Sequence, residues 1–401
     1  MQGKRRPALS HLFQSLWGEL LSGIDERFMK AALREAKKGL GRTSPNPAVG
    51  AVVVRDGQVI ARGYHKKAGS EHAEIAALKK LPDRAGPKDT LYVTLEPCNH
   101  TGKTPPCTLA ILEKGIKKII VGMDDPNPKV AGGGIAFLRD QGVEVKAGLL
   151  EKECRQLTEV FIKFITTDRP FVMVKSALTL DGWTATSTGH SQWITGERSR
   201  RFVHQLRDRV DAIMVGSGTV LSDNPRLTTR LYRGHGKDPM RIVLDSHLGI
   251  PLSAQILNHA SSADTVIVHG ESIGSDKARP FQAKNGVSTL PCAEKEGRID
   301  LEALLGTLGS LSISSLLVEG GARLMGSLIR ENLVDKCFLF FAPKILGGGD
   351  GVPLAHGEGP KKIDDCLGLK EVRLRRFGDD LLIQGYPRKT KKEGPGERSG
   401  H

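Results

Sequence analysis

Residues 70–78 read SEHAEIAAL and residues 93–112 read VTLEPCNHTGKTPPCTLAIL. Within them, His72, Cys98 and Cys107 are three soft or borderline donors that suit zinc. Three protein ligands leave one coordination position open, which points to chemistry rather than scaffolding. Glu74, two residues from His72, need not bind metal and can carry a proton. The order follows the nucleobase-deaminase pattern H-x-E…P-C-x-x-C, with eight residues between the cysteines in place of two. The chemistry so implied is hydrolytic removal of an amino group from a ring. The competing reading is a structural zinc site, for which His100 in CNHTGKTPPC would be the fourth ligand.

These segments occupy element starts. His72 and Glu74 fall in the first turn of a helix expected from about Ser70, Cys98 follows an apolar strand, and Cys107 opens another helix. Helix N-termini stabilise thiolate, because unpaired amides and the helix dipole favour negative charge. Asn46, in TSPNPAVG, can donate to and accept from a pyrimidine edge. His65, Lys103 and Thr104 could meet a phosphate or sugar.

The chain has 401 residues, too many for one average core, and two domains are expected. No run of eighteen apolar residues occurs, so no transmembrane helix and no membrane partner are expected. Six cysteines without framework spacing fit a reducing, cytoplasmic compartment. The formal net charge is +14. Part of it lies in KRR at 4–6 and RKTKK at 388–392. Positive charge can serve phosphorylated metabolites as well as nucleic acid. No zinc-finger or RNA-recognition signature is present, and nucleic acid is not the expected partner.

DERFMKAALREAKKGLG reads as a helix with Asp25 as N-cap or in the first turn. AVGAVVV, a DG turn and QVIARGYH form a hairpin. Strands and helices then alternate to residue 150, which argues for a sheet covered by helices. Five segments result: a basic extension at 1–23, a first domain at 24–150, a connecting helix and linker at 151–169, a second domain at 170–386 and a charged tail at 387–401. Residues 273–300 are polar with weak periodicity, and 365–386 hold two strand candidates.

The second domain lacks a well-placed G-x-G-x-x-G, so a standard dinucleotide fold is not expected. Three glycine runs end strands instead: VGSG at 215–218, VEGGA at 318–322 and KILGGGD at 344–350. Gly320 and Gly321 precede a helix, which suits phosphate best. KSALTLDGWTA supplies Lys175, HSQWITGE supplies Ser191 and Trp193, and GTVLSDNPRLTTR supplies Asp223 and Arg230. Arginine can grip phosphate through two N–H groups.

TSPNPAVGAVVV, HAEIAAL and EPCNHTGKTPPC resemble the deaminase domain of the bifunctional riboflavin-biosynthesis deaminase–reductases, in which the longer cysteine spacing is usual. KSALTLDGWTA, SQWITG, VDAIMVGSGTVLSDNPRLTTR, LLVEGG and APKILGG resemble its reductase domain, in order. The resemblance spans about residues 24–386. It implies a cytidine-deaminase-like three-layer domain followed by a dihydrofolate-reductase-like α/β domain. It assigns zinc to His72, Cys98 and Cys107, the proton shuttle to Glu74, and the pyrimidine to Asn46, with His65 and Lys103 in the same pocket. In the second domain it places Lys175, Ser191, Trp193, Arg207, Asp223, Arg230 and Glu319 on the substrate, and Thr195, Gly216, Ser246, Gly320 and Gly321 on NADPH. The implied substrate is a phosphorylated aminopyrimidine, and the implied assembly is a homodimer or homotetramer. The rival readings are an RNA or nucleoside base deaminase with a C-terminal binding domain, and a non-catalytic scaffold stabilised by zinc.

Overall fold

The computed structural model describes residues 23–81, 84–101, 105–128, 133–232, 234, 236–258 and 260–388. The chain divides into two compact units between Asp168 and Arg169. Among the described residues, no helix is long and apolar enough to cross a membrane.

The first unit begins with helix α1 (23–36), which buries Phe28, Met29, Ala31, Ala32 and Ala36. Asp25 is the third described residue of α1, in line with a first-turn position, and it accepts a hydrogen bond from the Tyr92 hydroxyl at 2.5 Å. Strands β1 (Gly50–Arg55) and β2 (Gln58–Tyr64) form the expected hairpin. Its turn needs two positive φ angles, and Asp56 (47°) and Gly57 (74°) supply them. Next come α2 (Ala73–Leu78), β3 (Thr90–Val93), α3 (Cys107–Lys114), β4 (Lys118–Val121), α4 (Gly133–Asp140) and β5 (Glu144–Lys146). The sheet order is β2-β1-β3-β4-β5, with β3, β4 and β5 parallel.

Two glycines show how the layers form. A Cβ on Gly50 would lie 2.1 Å from the Ala32 carbonyl oxygen, so α1 packs backbone to backbone on β1. A Cβ on Gly63 would lie 2.2 Å from the Ala73 carbonyl oxygen, so α2 packs equally closely on β2. Gly63 pairs with Ala51, the neighbour of Gly50. Successive strand residues face opposite ways, so α1 and α2 cover opposite faces and the unit has three layers. The segment after β5 is two helices, α5 (Glu151–Leu157) and α6 (Glu159–Thr167), in place of one. The break falls at Thr158, whose hydroxyl turns back to the Cys154 carbonyl, a bond that competes with the helix ladder.

The second unit contains β6 (Phe171–Leu178), β7 (Trp183–Ala185), α7 (Glu197–Arg207), β8 (Ala212–Gly216), α8 (Ser217–Asp223), β9 (Met240–Leu244), β10 (Thr265–Gly270), α9 (Ser275–Gln282) and β11 (Val287–Cys292). Then follow β12 (Glu294–Lys295), β13 (Arg298–Ile299), α10 (Leu301–Ser310), β14 (Ser315–Glu319), α11 (Ala322–Arg330), β15 (Lys336–Phe341), β16 (Val352–Pro353), β17 (Leu369–Phe377) and β18 (Asp380–Pro387). Nine strands form one sheet, ordered β11-β10-β9-β8-β14-β6-β15-β18-β17. Its first seven strands are parallel, and β18 and β17 are antiparallel.

Alternation along β8 builds two cores. Ala212 and Met214 join one, with Leu304, Leu308, Leu324 and Leu328 of α10 and α11. Ile213 and Val215 join the other, with Val220 of α8 and Ala278 and Phe281 of α9. Both faces of β8 are thus buried, as parallel strands require, whereas the edge strand β17 is exposed along most of its length. The polar stretch 273–300 holds a helix and three strands. Its helix buries only Ala278 and Phe281, too few apolar positions to leave a clear period in the sequence.

Gly63→Ala is expected to destabilise the first unit by about 1–3 kcal/mol through overpacking against α2. Gly86→Ala, where a Cβ meets open space, is expected to change stability far less. Urea unfolding of the two variants beside the parent chain measures the difference.

Candidate active sites

His72 caps the N-terminus of α2, and Glu74 lies in its first turn. Cys107 is the first residue of α3, and Cys98 lies in the loop after β3. The His72 Nδ1 is 3.5 Å from the Cys98 Sγ and 3.3 Å from the Cys107 Sγ. A tetrahedral zinc with ordinary Zn–N and Zn–S bonds requires an N···S edge of about 3.6 Å. The donor set and its spacing therefore fit zinc. Among the described residues, these three are the only group of histidine, cysteine and carboxylate ligands that could hold a metal. Among the described residues His100 does not join them, so the three protein ligands stand without the fourth that a structural zinc site needs.

The Cys107 amide and thiol and the His72 ring converge on Cys98, and hydrogen bonds from them hold its thiol well below the usual range, against the opposing effect of burial. A divalent cation at their focus would hold both sulfurs as thiolates. Glu74 is 3 % exposed, and burial pushes its carboxyl up to about 7.

A cavity of about 440 Å³ opens on this group. It is lined by His72, Glu74 and Cys98, with Asn46 and His65 among the other walls. The His65 Nδ1 is 3.0 Å from the Glu71 carbonyl oxygen, so that nitrogen donates. The other ring nitrogen then accepts from the Asn46 amide at 3.3 Å. Burial keeps His65 neutral by lowering its pKa. Lys103 and Thr104 lie outside the described residues. Asp125 and Asn127 also line the cavity and were not singled out from the sequence. The available signal was position: both follow the end of parallel strand β4, as Cys98 follows β3.

The second unit gathers its charge inside the sheet. Glu319 ends β14 and pairs in register with Lys175 of β6. Arg207, from α7, donates to both Glu319 oxygens at 2.7 and 2.9 Å, and the Lys175 Nζ lies 3.8 Å from one of them. Burial alone would raise the Glu319 carboxyl, but the charge and hydrogen bonds of Arg207, then Lys175, outweigh it and hold the group at about 2. His204, one turn before Arg207, is pushed down to about 4 by burial and then by Arg207 and Arg230. The imidazole is neutral, and its Nδ1 accepts from the Arg230 amide at 3.2 Å.

A separate cleft of about 980 Å³ runs along the carboxyl ends of β8, β9 and β14. It brings together Ser191, Gly216, Asp223, Ser246, Gly320 and Gly321. Gly320 and Gly321 both have positive φ, 81° and 82°, a backbone that glycine tolerates ahead of α11. Lys175, Trp193, Thr195, Arg207, Arg230 and Glu319 do not line this cleft. Trp193 is 60 % exposed, with the Arg200 guanidinium 4.5 Å from its ring centre. Thr195 is buried, and its carbonyl accepts from Arg200. The third glycine run has another use: Asp181 accepts from the Leu346 and Gly347 amides at 3.1 and 2.9 Å. Thr219, Lys295, Arg298 and Arg323 line the cleft and were not singled out from the sequence.

Fold and sites define a chain with a zinc-deaminase-type domain followed by a reductase-type α/β domain. Residues 22–123 match the cytidine and deoxycytidylate deaminase zinc-binding region, and residues 170–383 match the RibD C-terminal domain. The riboflavin biosynthesis protein RibD of Actinobacillus pleuropneumoniae is 44 % identical over 362 residues, 90 % of this chain and 94 % of that protein. RibD of Escherichia coli K12 is 37 % identical over 370 residues, 90 % of this chain and 98 % of that protein. A crystal structure from Thermotoga maritima, described as a diaminohydroxyphosphoribosylaminopyrimidine deaminase/5-amino-6-(5-phosphoribosylamino)uracil reductase, superposes with a TM-score of 0.79 at 38 % identity, covering 92 % of this chain and 99 % of that one. Acinetobacter baumannii RibD superposes at 0.80 with 33 % identity, covering 92 % of this chain and all of that one. The chain belongs to the RibD family of bifunctional deaminase–reductases of riboflavin biosynthesis.

The depressed Glu319 pKa gives a signed expectation. Its ordinary value is 4.5 and its folded value about 2. A lowered folded pKa contributes stability that is complete above the unfolded value and is lost as pH falls from about 4.5 toward 2. Arg207→Gln should flatten this acid limb, and at neutral pH it should cost about 3–5 kcal/mol by stranding a buried carboxylate. Urea unfolding stepped from neutrality down to acid pH checks both expectations.

Proposed function

We propose that the first unit hydrolyses the 2-amino group of 2,5-diamino-6-(5-phosphoribosylamino)pyrimidin-4(3H)-one, and that the second then uses NADPH to reduce the ribosyl group of the 5-aminouracil product to ribityl. The observation that carries this reading is the His72–Cys98–Cys107 triangle, with Glu74 beside it, opening on a cavity that also presents the Asn46–His65 pair. The naming of the Thermotoga maritima relative supports the substrate and the order of steps.

A zinc ion bound by His72, Cys98 and Cys107 supplies a Lewis acid and an acidified water. Glu74 takes the proton of the attacking water and returns it to the departing nitrogen, so that ammonia leaves and a carbonyl remains. His65 fixes the Asn46 amide, which reads the pyrimidine edge. In the second unit, bound NADPH would supply the hydride that reduces the ring-opened imine, and the protein supplies position and charge. Glu319, held ionised by Arg207, is unsuited to give up a proton. Lys175, an ammonium weakened by burial and placed beside that carboxylate, is the better donor. Ser191, Trp193, Asp223 and Arg230 complete the substrate side, with Arg230 on the phosphate. Gly216, Ser246, Gly320 and Gly321 hold the cofactor in the cleft they line, and Thr195, which does not line it, is assigned to the cofactor by the family resemblance alone. The same family reading makes the enzyme a cytoplasmic homodimer or homotetramer.

The test is to give zinc-loaded protein the diaminopyrimidine ribosyl phosphate and follow ammonia with and without NADPH. Ammonia in both cases, with NADPH oxidised only after deamination, is the expected result. Ammonia without oxidation would remove the reductase half of the proposal. Glu74→Gln should keep its zinc and lose ammonia release by about 10²–10⁴-fold. Arg230→Ala should raise KM for the phosphorylated substrate more than KM for NADPH, and an equal rise in both would remove Arg230 from the phosphate.

A further inference from the structure

We propose that the β12–β13 hairpin reads the 2′-phosphate of NADPH through Lys295 and Arg298 and so sets the preference for NADPH over NADH, an inference that rests on the reductase reading above. The hairpin is a two-stranded ribbon outside the nine-stranded sheet. Its turn is Glu296–Gly297, both at positive φ (54° and 70°), the form that joins two strands with no spare residue. Lys295 and Arg298 are therefore direct cross-strand partners. Like charges placed opposite one another on a ribbon are destabilising. Here both cations line the same cleft as Gly216, Ser246 and Gly320.

Acidic groups near the hairpin also line this cleft, namely Glu296, Asp300 and Glu331, and the Asp300 carboxylate accepts from the Ala303 amide. Among the described residues, the Arg298 side chain has no hydrogen bond or ion pair. Glu294 is engaged by the Ser272 hydroxyl at 3.0 Å. Glu331 feels the Lys295 charge, although burial is the larger influence on it. Glu296 occupies the turn itself. An anion between Lys295 and Arg298 would relieve their repulsion. A phosphate monoester fits best, since it offers a dianion to the ammonium and two oxygens to the guanidinium fork.

Position selects the end of the cofactor. The hairpin packs beside β10, whereas Glu319 and Lys175 lie on β14 and β6. Sheet order places β8 and β9 between β14 and β10, a separation of about 14 Å at the usual strand spacing. A dinucleotide lying across the strand ends, with its nicotinamide at the substrate, brings its adenosine ribose to the hairpin. NADH presents only a hydroxyl there and leaves both cations facing each other.

The experiment compares the parent chain with Lys295→Gln/Arg298→Gln. Adenosine 2′,5′-bisphosphate and AMP are titrated by calorimetry, and kcat/KM is measured for NADPH and NADH with the deaminated substrate. The parent should bind the bisphosphate about tenfold or more tightly than AMP, and the double variant should lose that difference. The NADPH to NADH ratio should fall by a similar factor, and Arg298→Lys should retain most of it. Without ligand, the double variant should melt no lower than the parent, since a repulsion has been removed. An unchanged bisphosphate to AMP ratio in a folded double variant overturns the proposal. Oxidation of neither nucleotide by the parent sinks the reductase reading instead, and the calorimetry still decides the hairpin.

Discussion

The first unit depends on a contact from which side chains are absent. At Gly63 the backbone of α2 lies against β2, closer than any Cβ would allow. That closeness sets the depth of the α2 N-terminus, hence of His72, and places Glu74 in the buried interior. Cys98 and Cys107 come to the same point because the loop at the carboxyl end of β3 meets the start of α3, where the Cys107 amide donates to the Cys98 sulfur. Three donors from three segments can meet at bonding distances only if the elements carrying them are fixed to within a fraction of an ångström. A helix laid directly on a strand meets that condition.

The second unit relies on charge placed inside a sheet. Glu319 and Lys175 face each other across β14 and β6, and Arg207 closes over the carboxylate from α7. Such a trio costs desolvation that apolar residues would avoid. Its return is a fixed field beside the cleft, with the carboxylate ionised, the guanidinium immobilised and the neighbouring His204 neutral.

Local order in the chain made the first site legible. His72, Glu74, Cys98 and Cys107 lie within thirty-six residues, and their types carry the chemistry without the fold. The Asp56–Gly57 turn was equally plain, because two positive φ angles leave few choices of residue. The trio of the second unit was named through family resemblance, but its pairing was not visible. Arg207 and Glu319 stand 112 positions apart, and only the sheet order joins them. The break at Thr158 was hidden because both halves of that segment favour helix. KILGGGD ends a strand as the other glycine runs do, yet two of its amides, those of Leu346 and Gly347, are taken by Asp181. A glycine run shows that backbone is approached, without showing by what.

The separateness of the β12–β13 ribbon bears on how this enzyme can change. Strand β8 feeds two cores through alternate residues, so a single residue inserted there would exchange their contents. The ribbon shares none of that sheet's hydrogen bonds, and its tip residues are solvent-exposed. Substitutions at the tip cost folding little, whereas those in the strands behind it disturb packed cores. Under the proposal that this ribbon reads the cofactor, the preference can change while the frame that carries it stays as it is.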